Sequence, residues 1–329
     1  MTATLRLGIL GAARIAPSAV IGPAKNSAEV DVVAVAARDA QRAKDFAAKH
    51  RIAKAYGDYS ELLADPDVDA VYNPLPNGLH GRWTLAALAA GKHVLCEKPF
   101  TANADEAREV ATAAAGTDRV VMEAFHYRYH PLAARMADIV ASGELGTLRE
   151  VRTSVCFPLP RFSDIRYRFD LAGGALMDAG CYAVHMARLL GGEPEVVTAK
   201  ATTNTANVDR AMRAGLTFPG GHTGVVRCSL WSSDVLRVAA IAIGSRGTMS
   251  VLNPLAPQFF HRLTVRVDDG RRTERLTKRP SYAYQLDAFA GAVLRGEPIL
   301  TGPDDSIATM TVIDAIYRAA GLPLREPTA

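Results

Sequence analysis

A lysine follows a short apolar stretch in the first third of the chain. His93–Cys96 has the character of an interior strand, and Glu97, Lys98 and Pro99 come directly after it. At the carboxyl end of such a strand, an ammonium can hydrogen-bond a substrate hydroxyl and stabilise the alkoxide that precedes hydride transfer. A lysine that ends a strand is usually a solvated charge, but this position favours a catalytic role for Lys98.

A second group of reactive side chains lies further along the chain. Asp178 and Tyr182 are four residues apart, so they share one face of a helix, and His185 falls near that face one turn later. Tyrosine has an ordinary pKa of about 10, and a neighbouring ammonium would lower it toward a value useful for proton exchange. Alternatively, Asp178 caps a helix and Tyr182 packs in a core. We predict that Tyr182 exchanges the proton and that Asp178 orients the substrate or the tyrosine.

The segment GILGAARIA at 8–16 predicts a strand, a tight turn and the start of a helix, as in the phosphate loop of a dinucleotide fold. Small residues let the backbone approach a pyrophosphate, and the first N–H groups of the helix are free to bind it. Only Gly11 keeps a glycine of the usual G-x-G-x-x-G/A pattern, because Ala13 and Ala16 stand at the other two positions. The alternative is a tight turn without a ligand. The predicted phosphate-binding residues are Gly11, Ala12, Ala13, Arg14 and Ile15.

The second predicted strand ends at Arg38, where a strict NAD site would present a carboxylate to the ribose. A guanidinium can instead form charge-assisted bonds to a 2′-phosphate, and Arg42 would add positive charge one helical turn later. Asp39 suits the cap of the following helix. A solvated arginine is the alternative, but the pattern favours NADP, with NAD possible.

A stiff loop, YNPLPNGLH at 72–80, follows the next strand of the predicted sheet. Ligands of open α/β sheets bind at the carboxyl edge, where this loop is expected. His80 is either a site residue or part of the first helical turn. The remaining predicted cofactor contacts are Pro74, Leu75, Asn77, His80, Glu97 and Lys98.

Arginines supply the predicted contacts to substrate oxygens. Arg128 follows a strand and is expected to help shape the substrate pocket. Arg161, Arg166 and Arg168 belong to a loop just before the Asp178 segment and either bind substrate oxygens or are surface charge; Arg166 is favoured as the one substrate contact among them. His126 and His130 are four apart, but Pro131 follows directly, so a zinc site is not predicted. No metal is expected.

The elements that must position these residues change type along the chain. Through residue 124, short apolar runs alternate with Ala-rich helical segments, which indicates β-α-β units and a parallel sheet. Residues 125–329 combine helices with a series of alternating strands, which indicates an α+β domain with a mostly antiparallel sheet. We therefore predict an α/β protein with a Rossmann dinucleotide-binding domain at 1–124 and a substrate-binding and oligomerisation domain at 125–329.

Several motifs together resemble those of the Gfo/Idh/MocA oxidoreductases. They are CEKP at 96–99, the altered glycine loop, YNPLPNGLH at 72–80, MEAFHYRYHP at 122–131, GGALMDAGCYAVH at 173–185 and TGPDDSIATMTVIDAIYRAAGLP at 301–323. The resemblance implies a dinucleotide-binding domain, an open-faced sheet whose free face commonly makes a dimer contact, and a catalytic Lys98. Tyr182 stands where inositol dehydrogenase-like members have histidine, which is similar to the glucose-fructose oxidoreductase and dihydrodiol dehydrogenase branch. The chain departs from the usual GGGAL at Ala172 and lacks the second glycine of the loop.

Composition excludes several classes of protein. The net charge of +4 is spread along the 329 residues, which disfavours a nucleic-acid surface. Apolar runs as long as a membrane span are absent, the start lacks the pattern of a signal peptide, and the four cysteines are scattered. These features predict a cytoplasmic protein without membrane or nucleic-acid partners.

The predicted function is hydride transfer between a nicotinamide, favouring NADP, and a secondary alcohol, hemiacetal or ketone of a sugar, cyclic polyol or trans-dihydrodiol. The alternative is a sensor or regulatory protein that binds the nucleotide without turnover. The exposed sheet face predicts a homodimer or a dimer of dimers.

Overall fold

The computed structural model describes residues 4–268 and 270–329. These residues form two compact units. The first comprises the described chain through His126 together with Tyr282–Ile307, and the second comprises Tyr127–Ser281 and Ala308–Thr328. The first boundary lies close to the predicted one at residue 124, but Tyr282–Ile307 joins the first unit although it was predicted within the second domain.

Within the described residues, six parallel strands form the sheet of the first unit in the order β3-β2-β1-β4-β5-β6. They are β1 (Leu5–Leu10), β2 (Val30–Ala36), β3 (Lys54–Tyr56), β4 (Ala70–Asn73), β5 (His93–Cys96) and β6 (Val121–Glu123). Every residue of β4 and β5 is buried, as in parallel sheets that helices cover on both faces. The strand order reverses between β1 and β4, and the crevice beyond that point is where such folds bind ligands.

Three of the five helices that the structure describes in this part of the chain begin at polar caps. The five are α1 (Gly22–Ala24), which continues a π-type turn at Pro17–Ile21, and α2 (Ala40–His50), α3 (Tyr59–Ala64), α4 (His80–Ala89) and α5 (Ala104–Ala115). The side chains of Asp39, Asp58 and Asn103 each accept a hydrogen bond from a backbone N–H in the first turn of α2, α3 and α5. Each such cap contributes about 1 kcal/mol to stability. The predicted capping role of Asp39 is confirmed.

The segment that returns to the first unit begins with α8 (Ser281–Arg295). Arg295 pairs with Glu29, which precedes β2. Further on, the N–H of Glu123 donates to the carbonyl of Thr301 at 2.8 Å, and the Thr301 hydroxyl donates to the carbonyl of Glu123 at 2.7 Å. The returning chain is therefore bonded to the edge strand β6.

Eight strands of the described chain form the sheet of the second unit, in the order β14-β13-β12-β11-β7-β10-β9-β8. They are β7 (Leu148–Cys156), β8 (Glu195–Thr205), β9 (Val208–Thr217), β10 (Thr223–Ser229), β11 (Arg237–Gly244), β12 (Gly247–Leu252), β13 (Arg262–Val267) and β14 (Gly270–Glu274). The pairings are antiparallel except between β7 and β10. The predicted fold class is confirmed.

One face of this sheet carries α7 (Cys181–Gly191), which is almost entirely buried. The Thr153 hydroxyl of β7 donates to the carbonyl of Ala183 at 2.8 Å. A Cβ on Gly180 would lie 2.8 Å from the sulfur of Cys228, so only glycine permits this close approach to β10. The other helices of the chain are α6 (Pro131–Ala141) and α9 (Pro303–Ala319).

Three strands were not predicted. β3 has only three residues, KAY, all half-buried, and they form no apolar run in the sequence. β12 begins with glycine, and β14 reads GRRTE, which is polar. These strands exist because neighbouring strands complete their hydrogen bonds, a contribution that residue type does not encode.

Candidate active site

The glycine loop lies at the carboxyl end of β1, in the middle of the parallel sheet. Gly11 has a φ of +100°, a conformation that favours glycine, and its N–H donates to the carbonyl of Ala36 at 2.8 Å. Ala12 is buried, whereas Arg14 and Ile15 are exposed. The small side chains leave backbone accessible just before the helical segment that starts at Pro17. This fits a pyrophosphate, which needs close approach to backbone N–H groups.

The two predicted phosphate arginines lie at the end of β2 and in the first turn of α2. Arg38 is exposed and carries its charge beside Tyr59: burial raises the pKa of the Tyr59 hydroxyl, and Arg38 opposes that rise. The guanidinium of Arg42 donates to the carbonyl of Ala12 at 3.0 Å. Arg42 thereby ties α2 to the glycine loop, and Arg38 presents positive charge at the same edge of the sheet.

The loop after β4 is organised by a residue that was not among the predicted site residues. The side-chain amide of Asn73, which is fully buried, donates to the carbonyl of His80 at 3.1 Å, and its oxygen accepts from the N–H of Leu75 at 3.4 Å. Its signal in the sequence is a polar residue at the end of an otherwise apolar strand. Pro74 lies in the loop, and Asn77 begins a short 3₁₀ turn (Asn77–Leu79), so the predicted helix begins three residues after Asn77.

The ring of His80, a predicted cofactor contact, is buried between two backbone segments. It is only 1% exposed, with Nδ1 2.7 Å from the carbonyl oxygen of Pro99 and Nε2 2.7 Å from that of Leu75. Burial, with a smaller contribution from the charge of Lys98, lowers the pKa of His80 to about 4. Because its ring nitrogens lie beside two backbone carbonyls, His80 is positioned between the loop after β4 and the segment after β5.

Glu97 and Lys98 emerge at the carboxyl end of β5. The Tyr72 hydroxyl, from neighbouring β4, donates to the Glu97 carboxylate at 2.7 Å. Lys98 is half-buried, and the bond between Lys98 and Pro99 is cis. The ammonium of Lys98 is thus presented from a rigid strand end, at the same sheet edge as the glycine loop.

In the second unit, Asp178 lies in a π-type turn (Leu176–Gly180) that runs directly into α7, where Tyr182 stands in the first turn. Tyr182 is 8% exposed. The ring of Tyr127 meets the Tyr182 ring at 64° with 6.1 Å between centroids, and the Tyr127 hydroxyl bonds to Nδ1 of His185. The Tyr127–His185 pair therefore supports the ring of Tyr182 from inside the unit.

Arg166, a predicted substrate contact, is paired with two carboxylates. Its Nε donates to the Asp178 carboxylate at 3.0 Å, and its Nη1 donates to the Asp164 carboxylate at 3.1 Å. These charges, with Asp178 first, raise the pKa of Arg166 above its ordinary value. Because two carboxylates already balance its charge, Arg166 serves to orient Asp178.

Arg128, the other predicted substrate arginine, belongs to a 3₁₀ turn at His126–Tyr129 and is half-buried. Within the described residues it forms no ion pair. His126 stacks on Tyr282 with 4.1 Å between ring centroids, and the side chain of His130 caps α6. Groups of three or more metal-ligating side chains are absent from the part of the chain that the structure describes.

A buried ion pair stabilises the turn that contains Asp178 through hydrogen bonds to nearby backbone groups. Arg325 and Asp209 are both fully buried and 2.9 Å apart, and Arg325 also donates to the carbonyl of Gly173 at 2.6 Å. The second carboxylate oxygen of Asp209 accepts from the N–H of Leu176 at 2.7 Å. Burial raises the pKa of Asp209, while Arg325 and the hydrogen-bond donors oppose that rise. Neither residue was predicted as part of the site.

Gly174 lies directly against the buried ion pair. A Cβ there would lie 2.2 Å from the Asp209 carboxylate and 2.8 Å from both Arg325 and the Tyr317 hydroxyl, so only glycine fits. Its carbonyl accepts from the N–H of Asp178 at 3.0 Å. The two glycines at 173–174 are therefore the link between the buried ion pair and the reactive turn.

Comparison with known proteins identifies the family. A profile described as an oxidoreductase family with an NAD-binding Rossmann fold matches residues 5–125, and one described as the GFO/IDH/MocA C-terminal domain matches residues 133–250. The chain belongs to the Gfo/Idh/MocA family of oxidoreductases. This confirms the predicted family and the nicotinamide dinucleotide class of cofactor.

Characterised relatives cover most of the chain. D-xylose 1-dehydrogenase (NADP(+)) 2 of Haloferax volcanii is 42% identical over 96% of this chain and 97% of its own length. Trans-1,2-dihydrobenzene-1,2-diol dehydrogenase of Mus musculus is 37% identical over 77% of this chain and 76% of its own. A 3-ketoreductase from Actinomadura kijaniata, crystallised with NADP and TDP-benzene, matches with a TM-score of 0.89 at 30% identity over 96% of this chain and 98% of its own. No helix in the described chain combines the length and apolar character of a membrane span.

Proposed function

We propose that this protein is an NADP-dependent dehydrogenase or reductase. Its substrate would be a secondary alcohol, hemiacetal or ketone of a sugar, cyclic polyol or trans-dihydrodiol. The observation that carries the proposal is the carboxyl edge of the parallel sheet, where Gly11, Arg38 and Lys98 follow β1, β2 and β5, because it combines a phosphate loop, a cation for a 2′-phosphate and a half-buried ammonium. The xylose and dihydrodiol dehydrogenases among the relatives support the substrate class.

The proposed chemistry assigns a role to three side chains. Lys98 hydrogen-bonds the reacting oxygen and stabilises the negative charge that develops on it. Tyr182 exchanges the hydroxyl proton, and Asp178, held by Arg166, orients the substrate or the tyrosine. When bound, the nicotinamide supplies or accepts the hydride.

The cofactor would be held by groups already in place. Backbone N–H groups after Gly11 bind the pyrophosphate, and Arg38 binds a 2′-phosphate, with Arg42 reinforcing the positive potential. A strict NAD site binds the ribose through a carboxylate, but Arg38 stands at that position in this chain. The next residue, Asp39, caps α2.

A substrate panel tests the proposal. Purified protein is incubated with NADP or NAD and with aldoses, cyclic polyols and trans-dihydrodiols, and reduced nicotinamide is followed by absorbance. The matching ketones or lactones are tested with the reduced cofactors. We expect turnover with at least one class and faster turnover with NADP at limiting cofactor. Tight cofactor binding without turnover on the whole panel would favour the sensor function instead.

We also propose that the protein assembles as a homodimer or a dimer of such dimers through the free face of the second sheet. Ala239, Ile241 and Ile243 project from β11 on the face opposite to α7, and apolar groups on a free sheet face favour association. Light scattering at micromolar concentration checks this, and a monomeric mass would contradict it.

A further inference from the structure

The hydroxyl of Tyr72 lies next to the sheet edge at which Lys98 emerges. Tyr72 is the third residue of β4 and is fully buried. It stands directly opposite Leu95 of β5, and Glu97 comes two residues after Leu95, so Tyr72 and Glu97 point to the same face of the sheet. This register brings the hydroxyl within 2.7 Å of the Glu97 carboxylate, to which it donates.

The Glu97 carboxylate joins this hydroxyl to the backbone of Lys98. Its Oε1 accepts from Tyr72, while its Oε2 accepts from the N–H of Lys98 at 3.3 Å. The backbone N–H of Glu97 in turn donates to the carbonyl of Asn73 at 3.0 Å, which ties the end of β5 to β4. Two consecutive hydrogen bonds therefore connect Tyr72 to the residue that carries the proposed reactive ammonium.

The carboxylate of Glu97 depends on its hydrogen-bond donors because it is buried. Only 8% of the residue is exposed, and a buried charge is costly unless hydrogen bonds satisfy it. Burial raises the pKa of Tyr282, whose ring stacks on His126, and the negative charge of Glu97 raises it further. The charge of Glu97 thus lies beside aromatic side chains, where a hydrogen bond to an ionised acceptor is about twice as strong as a neutral one.

We propose, on the basis of the proposed catalytic role of Lys98, that Tyr72 is a positioning residue for Lys98 and acts through Glu97. With the hydroxyl bonded to Oε1, rotation of the carboxylate is restricted and Oε2 stays on the N–H of Lys98. That N–H precedes the Cα from which the ammonium extends, so its direction sets where the ammonium points. Without the hydroxyl, the buried carboxylate turns toward other donors or water, and the ammonium loses its fixed position.

A double-mutant cycle on turnover tests the functional consequence. Tyr72→Phe keeps the ring and removes the hydroxyl. We expect it to lower kcat by about 10- to 100-fold with a much smaller change in KM, since small displacements of a catalytic group have effects of this size. In a Lys98→Met background, the same change should lower kcat no further. Tyr56→Phe is the matched control, because the Tyr56 hydroxyl donates to the Asp65 carboxylate at 2.8 Å from β3 of the same sheet. Its kcat should stay unchanged.

Chemical labelling tests the position of Lys98 without any substrate. The unaltered protein and Tyr72→Phe are treated with an amine-acetylating reagent, and the rate at each lysine is read from its peptide by mass spectrometry. We expect Lys98 to react several-fold faster in Tyr72→Phe, whereas the exposed Lys49 and the buried Lys92 keep their original rates. Glu97→Gln leaves one acceptor oxygen for two donors, so it should give the same acceleration, and Tyr72→Phe should add nothing to it.

Unchanged labelling of Lys98 would overturn the positioning role of Tyr72. Equally faster labelling of Lys92 would do the same, because it would show a general loss of structure. A further loss of kcat in the Lys98→Met background would show that the hydroxyl acts elsewhere. If the unaltered protein turns over no substrate, the proposed function is rejected instead, and the labelling rates still decide whether Tyr72 positions Lys98. Glu97→Gln supplies the same measurement if Tyr72→Phe does not fold.

Discussion

The two units hold their reactive residues by different means. In the first unit, Lys98 follows a buried strand, and the residues on either side of it are held by hydrogen bonds. Tyr72 of the next strand bonds to Glu97, and His80 bonds to the carbonyl of Pro99. In the second unit, Asp178 is held by ion pairs, directly by Arg166 and indirectly by the buried pair of Arg325 and Asp209.

The difference follows from the kind of sheet each unit contains. A parallel sheet collects the ends of successive strands at one edge, so its geometry alone brings loops together. The turn that carries Asp178 lies instead beside a mostly antiparallel sheet, which provides no common edge for it. Its position depends on the guanidinium of Arg325, near the end of the chain. Arg325 pairs with Asp209, which lies 116 residues earlier.

Removing the reactive group of either unit should have the largest effect. We expect Lys98→Met and Tyr182→Phe each to lower turnover by about 10²–10⁴-fold, since that is what general acid–base groups contribute. Cofactor affinity, measured by fluorescence titration, should stay nearly unchanged. Lys49→Met, which removes an exposed lysine of α2, is the control. Near-normal turnover of both variants on a genuine substrate would show that the assignment is wrong.

Breaking the buried ion pair of the second unit should cost stability. Arg325→Met leaves Asp209 buried without its cation, which typically costs about 3–5 kcal/mol in the free energy of unfolding. Arg168→Met is the matched control, because Arg168 and Asp170 form an exposed pair in the same region, and such pairs contribute at most about 1 kcal/mol. Denaturant unfolding measures both. Equal losses would mean that burial of the pair does not matter.

The preference for NADP over NAD tests the role of Arg38 at the edge of the parallel sheet. Charge-assisted hydrogen bonds contribute about 1.5–3 kcal/mol each, so Arg38 should give a preference for NADP over NAD on the order of 10- to 100-fold. Arg38→Ala should remove most of it, and Lys44→Ala on α2 should not. Dissociation constants for both cofactors check this. Equal or tighter binding of NAD to the unaltered protein would show that Arg38 is a solvated residue after β2 and does not select NADP.

A buried carboxyl of the first unit should produce a pH effect. Burial raises the pKa of Glu106 to about 7, and its carboxyl accepts from the N–H of Ala102 at 2.8 Å. Between an ordinary pKa near 4.5 and about 7, the folded state holds a proton that the unfolded state has lost. Stability should therefore be greatest below this range and fall as the pH rises through it, by on the order of 3 kcal/mol.

Glu106→Gln tests this effect because the amide keeps an acceptor for Ala102 but does not ionise. Urea unfolding at several pH values from 5 to 8 should show a smaller loss of stability in this variant than in the unaltered protein. Glu61→Gln, at an exposed position of α3, should leave the pH dependence unchanged. Identical slopes for all three proteins would contradict the assignment to Glu106.

Much of the first unit could be predicted because its signals are local. Apolar runs alternate with helical segments, and a β-α-β chain has few ways to bury such runs other than a parallel sheet. That sheet places the residues after each strand at one edge, which is why the sequence predicts Gly11, Arg38 and Lys98 at that edge. The cap formed by Asp39 is equally local.

Two predicted site residues have hydrogen-bond partners that the sequence did not reveal. His80 was expected to contact the cofactor, but its neighbours Leu75 and Pro99 engage both ring nitrogens. Arg166 was expected to bind substrate, but Asp164 and Asp178 balance its charge. In both cases the residue type was suited to a site, and only the side chains and carbonyls around it decided how its hydrogen bonds are used.

The sequence by itself determined the family, the two sheets and the edge at which a dinucleotide can bind, because periodicity and short motifs act over a few residues. Tertiary structure alone decided that Tyr282–Ile307 returns to the first unit and that Arg325 supports the turn carrying Asp178. It also decided that the hydroxyl of Tyr72 reaches the carboxylate beside Lys98. Such contacts depend on the path of the whole chain, since burial and strand register bring together groups that no local pattern relates.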